Sequence, residues 1–151
     1  MAEPAIALDD LPPARRGAIA ELLADAVATE RELAALYSAF ETRATLAPLK
    51  ATLAELARAK AAHVASLEPL ARSFGPDVLP DAARPIRVDA GAAGRDEAFA
   101  RAFQGERALE VTYRELSAVL LDHPLEPRVA GLAAEAARHR AVLRELYLRY
   151  S

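Results

Sequence analysis

The chain contains no cysteine and no tryptophan. Without thiols there is no disulfide framework, no thiolate metal site and no thiol nucleophile. Glycine is sparse, aromatics make up only 5% of residues, and β-branched residues are few and scattered. That is the composition of helices rather than of sheets. No apolar run reaches the ~18 residues that a membrane-spanning helix needs. The opening MAEPAIALDDLPPARR sets acidic residues ahead of basic ones around a very short apolar stretch, which is not the pattern of a secretory signal. A cytoplasmic protein with no membrane partner is the expectation. The net charge of −3 removes any electrostatic case for a nucleic-acid partner. No Gly-rich phosphate loop is present, and no Ser sits in the strained turn that a Ser/His/Asp triad requires. Lysine is also scarce: only Lys50 and Lys60 are Lys, and every other basic side chain of this class is Arg.

What is present is alanine, and a repeat. The hydrophobic fraction is 53%, much of it Ala, the best helix former. The 151 residues suffice for one domain with a substantial core. Glu30, Tyr37, Pro48 and His63 recur 76 residues later as Glu106, Tyr113, Pro124 and His139, with no insertion between them. Across residues 21–75, about 17 of 55 aligned positions are identical. An Ala-rich chain matches itself often by chance, but not at Glu, Tyr, Pro and His together. The repeat implies a two-fold pseudo-symmetric fold.

Periodicity divides the chain into four helical segments. The first opens at Asp10 as N-cap, with Pro12 and Pro13 in the first turn, and runs to about Arg43. Its inner stripe is Leu23, Val27, Glu30, Leu33, Tyr37 and Phe40. The second starts at Pro48 after a short turn and ends near Ser73, where Gly75 and Pro76 stop it. Leu53, Leu56, Lys60, His63, Leu67 and Leu70 share one face. The third spans about Arg95 or Asp96 to Leu121, with a stripe of Phe99, Phe103, Glu106, Leu109, Tyr113 and Leu116. The fourth runs from about Glu126 to Tyr150, with Leu132, Ala136, His139, Leu143 and Leu146 inward.

Short turns make helices one and two, and helices three and four, antiparallel hairpins. Between the hairpins lie roughly 20 residues, Phe74 to Gly94. A helix of ~25 residues is about 38 Å long, and ~20 extended residues span over about 60 Å. This connector can therefore travel the length of a bundle. An all-α, four-helix bundle with one long crossover, two antiparallel hairpins and an internal two-fold repeat follows, which is a ferritin-like topology. Val78, Leu79 and Ile86 in the crossover would cap the bundle or contact a second subunit, making a homodimer.

Seven residues are nearly two helical turns, so Glu30 shares a face with Tyr37, and Glu106 with Tyr113. A dyad across the bundle would then gather Glu30, His63, Glu106 and His139 near mid-core. Two buried carboxylates need partners. His123, before Pro124, reads as a solvated loop residue. Arg138 and Arg140 read as a solvated face.

The segments ATERELAALYSAF and GERALEVTYREL, with LAELARAKAAHVASL and GLAAEAARHRAVL, resemble the helices of the ferritin-like superfamily, specifically its rubrerythrin-type di-iron domain. The resemblance covers almost the whole chain apart from the first ~10 residues and the crossover. It implies two metal ions that process oxygen or peroxide, held by one Glu and one Glu-x-x-His pair from each half. Carried over, Glu30, His63, Glu106 and His139 match ligand positions. Tyr37 and Tyr113 match positions that support the ligands.

The sequence departs from that pattern at both bridging carboxylates. Lys60 and Ala136 stand where each pair would have its Glu. Glu30, Glu106 and a charged Lys60 leave a net −1, so two divalent ions would bring about +3 into a low-dielectric core. A working di-iron centre is therefore not expected. Glu135, four residues before His139, is a substitute that helical geometry places nearer the flank. Two readings of the cluster stand. In one, a single divalent ion (Fe, Mn or Zn) is held by two carboxylates and two imidazoles. In the other, the core is metal-free and Lys60 bridges Glu30 and Glu106, unless Lys60 snorkels to the rim. The corresponding functions are a metal-dependent oxidoreductase or peroxide-handling protein, a non-catalytic metal binder, and a metal-free interaction or structural module.

Overall fold

Four helices account for most of the chain in the computed structural model, which describes residues 11–75, 77–79, 81 and 85–151. They are α1 (Pro13–Arg43), α2 (Ala47–Arg72), α3 (Ala92–Val119) and α4 (Glu126–Tyr150). No strand occurs among the described residues. Proline punctuates the helix starts: Pro13, Pro48 and Pro127 all lie in first turns, where the missing N–H is no loss. The expected N-cap Asp10 and the expected stop Pro76 lie outside the described residues. Pro12 stands immediately before α1.

Helix α3 differs from expectation at both ends. It begins at Ala92, earlier than Arg95, because Gly91 turns the chain into the helix at φ 97°, a left-handed conformation that glycine adopts without penalty. It ends at Val119, short of Leu121. There Arg15 reaches across from α1, its Nε 2.6 Å from the Val119 carbonyl and Nη2 3.0 Å from that of Leu121. A guanidinium at a helix C-terminus satisfies orphan carbonyls and opposes the negative end of the dipole.

Helices α1 and α2 pack as one hairpin and α3 and α4 as another, and the hairpins meet chiefly through α1 and α3. Helices α2 and α4 barely touch. Phe40 packs edge-on against Phe99 at 4.9 Å at one end of the α1–α3 seam. Midway, Gly105 lies so close to Leu33 that a Cβ there would stand 2.7 Å from Leu33 Cδ2. The core is aliphatic and aromatic, with Leu23, Val27, Leu53, Leu67, Leu109, Tyr113 and Leu143 essentially inaccessible. The crossover residues Phe74, Val78, Leu79 and Ile86 pack partly buried against it, and Val88 is buried.

Two stripe positions need correction. Phe103 is not inside: it is 38% exposed on the outer face between α3 and α4. Val27, its counterpart in the sequence repeat, is fully buried. Leu132 is only partly buried and packs at the edge of the core.

Candidate functional site

Midway along the bundle the apolar core is interrupted by charge. Glu30 and Glu106 are inaccessible to solvent, and Lys60 is 1% exposed. Each is delivered by its helix's inner stripe: Glu30 follows Leu23 and Val27 on α1, Glu106 follows Phe99 on α3, and Lys60 follows Leu53 and Leu56 on α2. Lys60 does not snorkel to the rim: its ammonium stays inside. Lys60 Nζ donates a hydrogen bond to Glu106 Oε2 at 3.0 Å and also pairs with Oε1. Its distance to Glu30 Oε2 is 3.5 Å. One cation thus lies between two buried carboxylates.

The imidazoles form a second layer toward the α2–α4 seam. His63 Nδ1 is 3.1 Å from Glu30 Oε1, and its Nε2 is 3.0 Å from Glu135 Oε2. A ring with a carboxylate on each nitrogen is satisfied only when both nitrogens carry protons. Burial works to lower the His63 pKa, but the hydrogen bond and charge of Glu30, with Glu135 beyond, outweigh it and Lys60, and the net shift is upward. Glu30 mirrors this. Burial alone would raise its pKa, yet the His63 hydrogen bond, the Lys60 charge and the Tyr113 hydrogen bond hold it below its ordinary value.

His139 lies on the Glu106 side of the cluster. Its Nδ1 lies 3.4 Å from Glu106 Oε2 and its Nε2 3.8 Å from Glu135 Oε1. The two rings are roughly parallel, with centroids 6.4 Å apart, and Glu135 offers one oxygen to each. Glu135 is therefore at the flank, as helical geometry suggested, but its carboxylate reaches both imidazoles.

The tyrosines differ from each other. Tyr113 donates to Glu30 Oε1 at 2.7 Å. Tyr37 is equally buried beside Glu106, but its hydroxyl makes no well-aligned hydrogen bond. Burial first, and the neighbouring carboxylates second, push both phenols far above their ordinary value. Both stay protonated, and of the two only Tyr113 donates to a carboxylate.

The residues do not fit a pair of metal ions. Lys60 already sits against the carboxylates, Ala136 is an inert methyl in the core, and Glu135 is wedged between the imidazoles. Among the described residues, no group of three or more His, Asp or Glu side chains is arranged to hold an ion.

One charged residue escaped the sequence reading. Glu110, one turn after Glu106, is buried and pairs with Arg114 at 2.6 Å and with Arg140. Arg140 also lies over the Phe103 ring, 5.9 Å from its centroid, so it is not the solvated side chain expected. The Glu110-to-Arg114 spacing of one helical turn was the available signal. Arg138 is exposed. His123 is a turn residue whose Nδ1 accepts a hydrogen bond from the Leu125 N–H at 3.1 Å.

No known protein family, no characterised protein and no solved structure matches this chain. Among the described residues, no helix is long and apolar enough to cross a membrane.

Proposed function

We propose that this chain is a ferritin-like bundle, with its two halves related by the 76-residue repeat, in which a lysine ammonium takes the place of the metal cations. On this reading it is a metal-independent helical module and not an oxygen- or peroxide-processing enzyme. The observation that carries it is the position of Lys60 Nζ between Glu30 and Glu106. A fixed internal +1 charge neutralises part of a buried −2 that would otherwise need external ions. The double departure at Lys60 and Ala136 supports the same reading, since it removes bridging oxygens and supplies a cation at once.

A second reading, one bound divalent ion, draws on the lopsided satisfaction of the two halves. The Glu30 side is fully hydrogen-bonded, whereas Tyr37 Oη and His139 Nδ1 on the Glu106 side have no hydrogen-bond partner.

Elemental analysis of protein purified without chelator separates the two. The lysine reading expects metal far below one equivalent and a melting temperature unmoved by chelator. A stoichiometric ion would retire it. The complementary gain-of-function test is Lys60→Glu with Ala136→Glu, which restores both missing carboxylates. Calorimetric titration should then show divalent-metal affinity rising at least about tenfold over wild type.

A further inference from the structure

A cavity of about 410 Å³ lies at the end of the bundle remote from Arg15. Its floor is apolar: Phe40, Leu49 and Val88. Its rim is basic, with Arg43 from the end of α1 and Arg95 from the first turn of α3. Neither arginine has an ion-pair or hydrogen-bond partner among the described residues. Arg95 Nε is shut off from solvent and still unpaired. A buried N–H left unmade is expensive, at about 1–3 kcal/mol.

Two helix starts open onto the same cavity. Helix α2 begins at Ala47 beside Thr45 and Leu46, and α3 at Ala92 beside Gly91. Neither has a side-chain cap, and neither has an acidic residue in its first turn. The first-turn N–H groups of both therefore lack a side-chain acceptor, and the positive ends of both helix dipoles face the cavity without a first-turn acid. The one carboxylate in the wall, Asp89, is paired with Arg87 at 3.4 Å and largely exposed. The C-terminal end of α1 opposes this charge, but Lys50 Nζ donates to the Glu41 carbonyl there. Two guanidinium groups and two helix starts above an apolar floor, in a chain of net charge −3, make a local positive site.

We propose that this cavity binds a small organic anion: one carboxylate or phosphate group at the Arg43–Arg95 rim and a short apolar body on Phe40, Leu49 and Val88. The size falls within the range of small-molecule sites, ~300–1,000 Å³. Charge-assisted hydrogen bonds from paired arginines supply head-group recognition. The site is separate from the Lys60 cluster, and its standing does not depend on the reading of that cluster.

The test is heteronuclear NMR titration of the full chain with three probes: sodium octanoate, inorganic phosphate and octanol. Octanoate should shift the amides of residues 43–46 and 89–95, while octanol, with the same tail and no charge, should bind at least about tenfold more weakly. Phosphate shifting the same amides more weakly than octanoate supports the proposal and assigns part of the affinity to the head group. Arg43→Gln should weaken octanoate binding severalfold, and Arg43→Gln with Arg95→Gln should abolish it. Arg43 is exposed, so its single variant retains a readout even if the double variant unfolds. No shifts with octanoate, shifts that octanol reproduces, or binding indifferent to Arg43→Gln would each overturn the proposal.

Discussion

Replacing Lys60 should cost more than replacing any surface residue of this chain. Lys60→Met removes the cation and leaves Glu30 and Glu106 facing each other without it. Breaking a buried ion pair from one side typically costs about 3–5 kcal/mol, and chemical denaturation should show a loss of that order. The loss is electrostatic, so Glu106→Gln in the same chain should recover a substantial part of it; no recovery would mean that Lys60 contributes through packing. The pH profile belongs to the same scale. His63 titrates above the ordinary 6.5 in the folded chain, so its stabilisation is complete below that value and fades as pH rises through the raised one. Glu30 is shifted the opposite way, below 4.5, so its contribution is present above that value and is lost as pH falls through the lowered one. Melting temperatures should therefore decline at both extremes. His63→Gln should flatten the alkaline decline; an unchanged profile would show that His63 is neutral in the fold. Four of these polar residues, Glu30, Glu106, His63 and His139, were legible in the sequence because they recur at a fixed offset. Glu110 was not, because the repeat has Ala34 at its counterpart and a charged residue on a helix ordinarily belongs to the solvated face.

At the scale of elements, the helix boundaries follow from local chemistry wherever proline or glycine sets them. Helix α4 starts and stops where periodicity predicts. Helix α3 does not, because its entry depends on Gly91 and Gly94 rather than on a polar cap. A Cβ on Gly94 would lie 2.2 Å from the backbone oxygen of Asp89, which cannot swing aside as a side chain can. Gly94→Ala should therefore displace the chain before α3 and cost about 1–3 kcal/mol. Hydrogen exchange should show the damage concentrated in the first turns of α3; uniform protection equal to wild type would refute the close approach. Phe103 departs from the inner stripe that its periodicity predicts. Its spacing from Phe99 and Glu106 is inward, but spacing reports direction and not depth, and the ring ends part-exposed beneath the Arg140 guanidinium.

The described residues form four helices and no strand, as composition and periodicity require, with the hairpins joined by a connector long enough to cross the bundle. Its surface is not uniform. Phe103, Tyr147 and Leu148 stand exposed on the outer side of α3 and α4, where Phe103 and Arg144 line two adjoining grooves, one with Phe99, Leu143 and Tyr147 and the other with Leu148. This face, and not the crossover, is the surface free to pair two copies of the chain, because Val78, Leu79 and Ile86 are already engaged with the core. Sedimentation velocity should then show a concentration-dependent dimer that Phe103→Asp with Leu148→Asp returns to monomer. A monomer at every concentration would remove the second subunit from the account.

The meagre contact between α2 and α4 has a kinetic meaning. His63 and His139 lie behind that seam with about an eighth of each side chain open to water. Bulk hydronium can reach the rings without the bundle opening, whereas the Lys60 ammonium has no such route. Two clocks should run inside one cluster: His63 protonation following a pH jump within milliseconds, and hydrogen–deuterium exchange at Lys60 waiting for the helices to part.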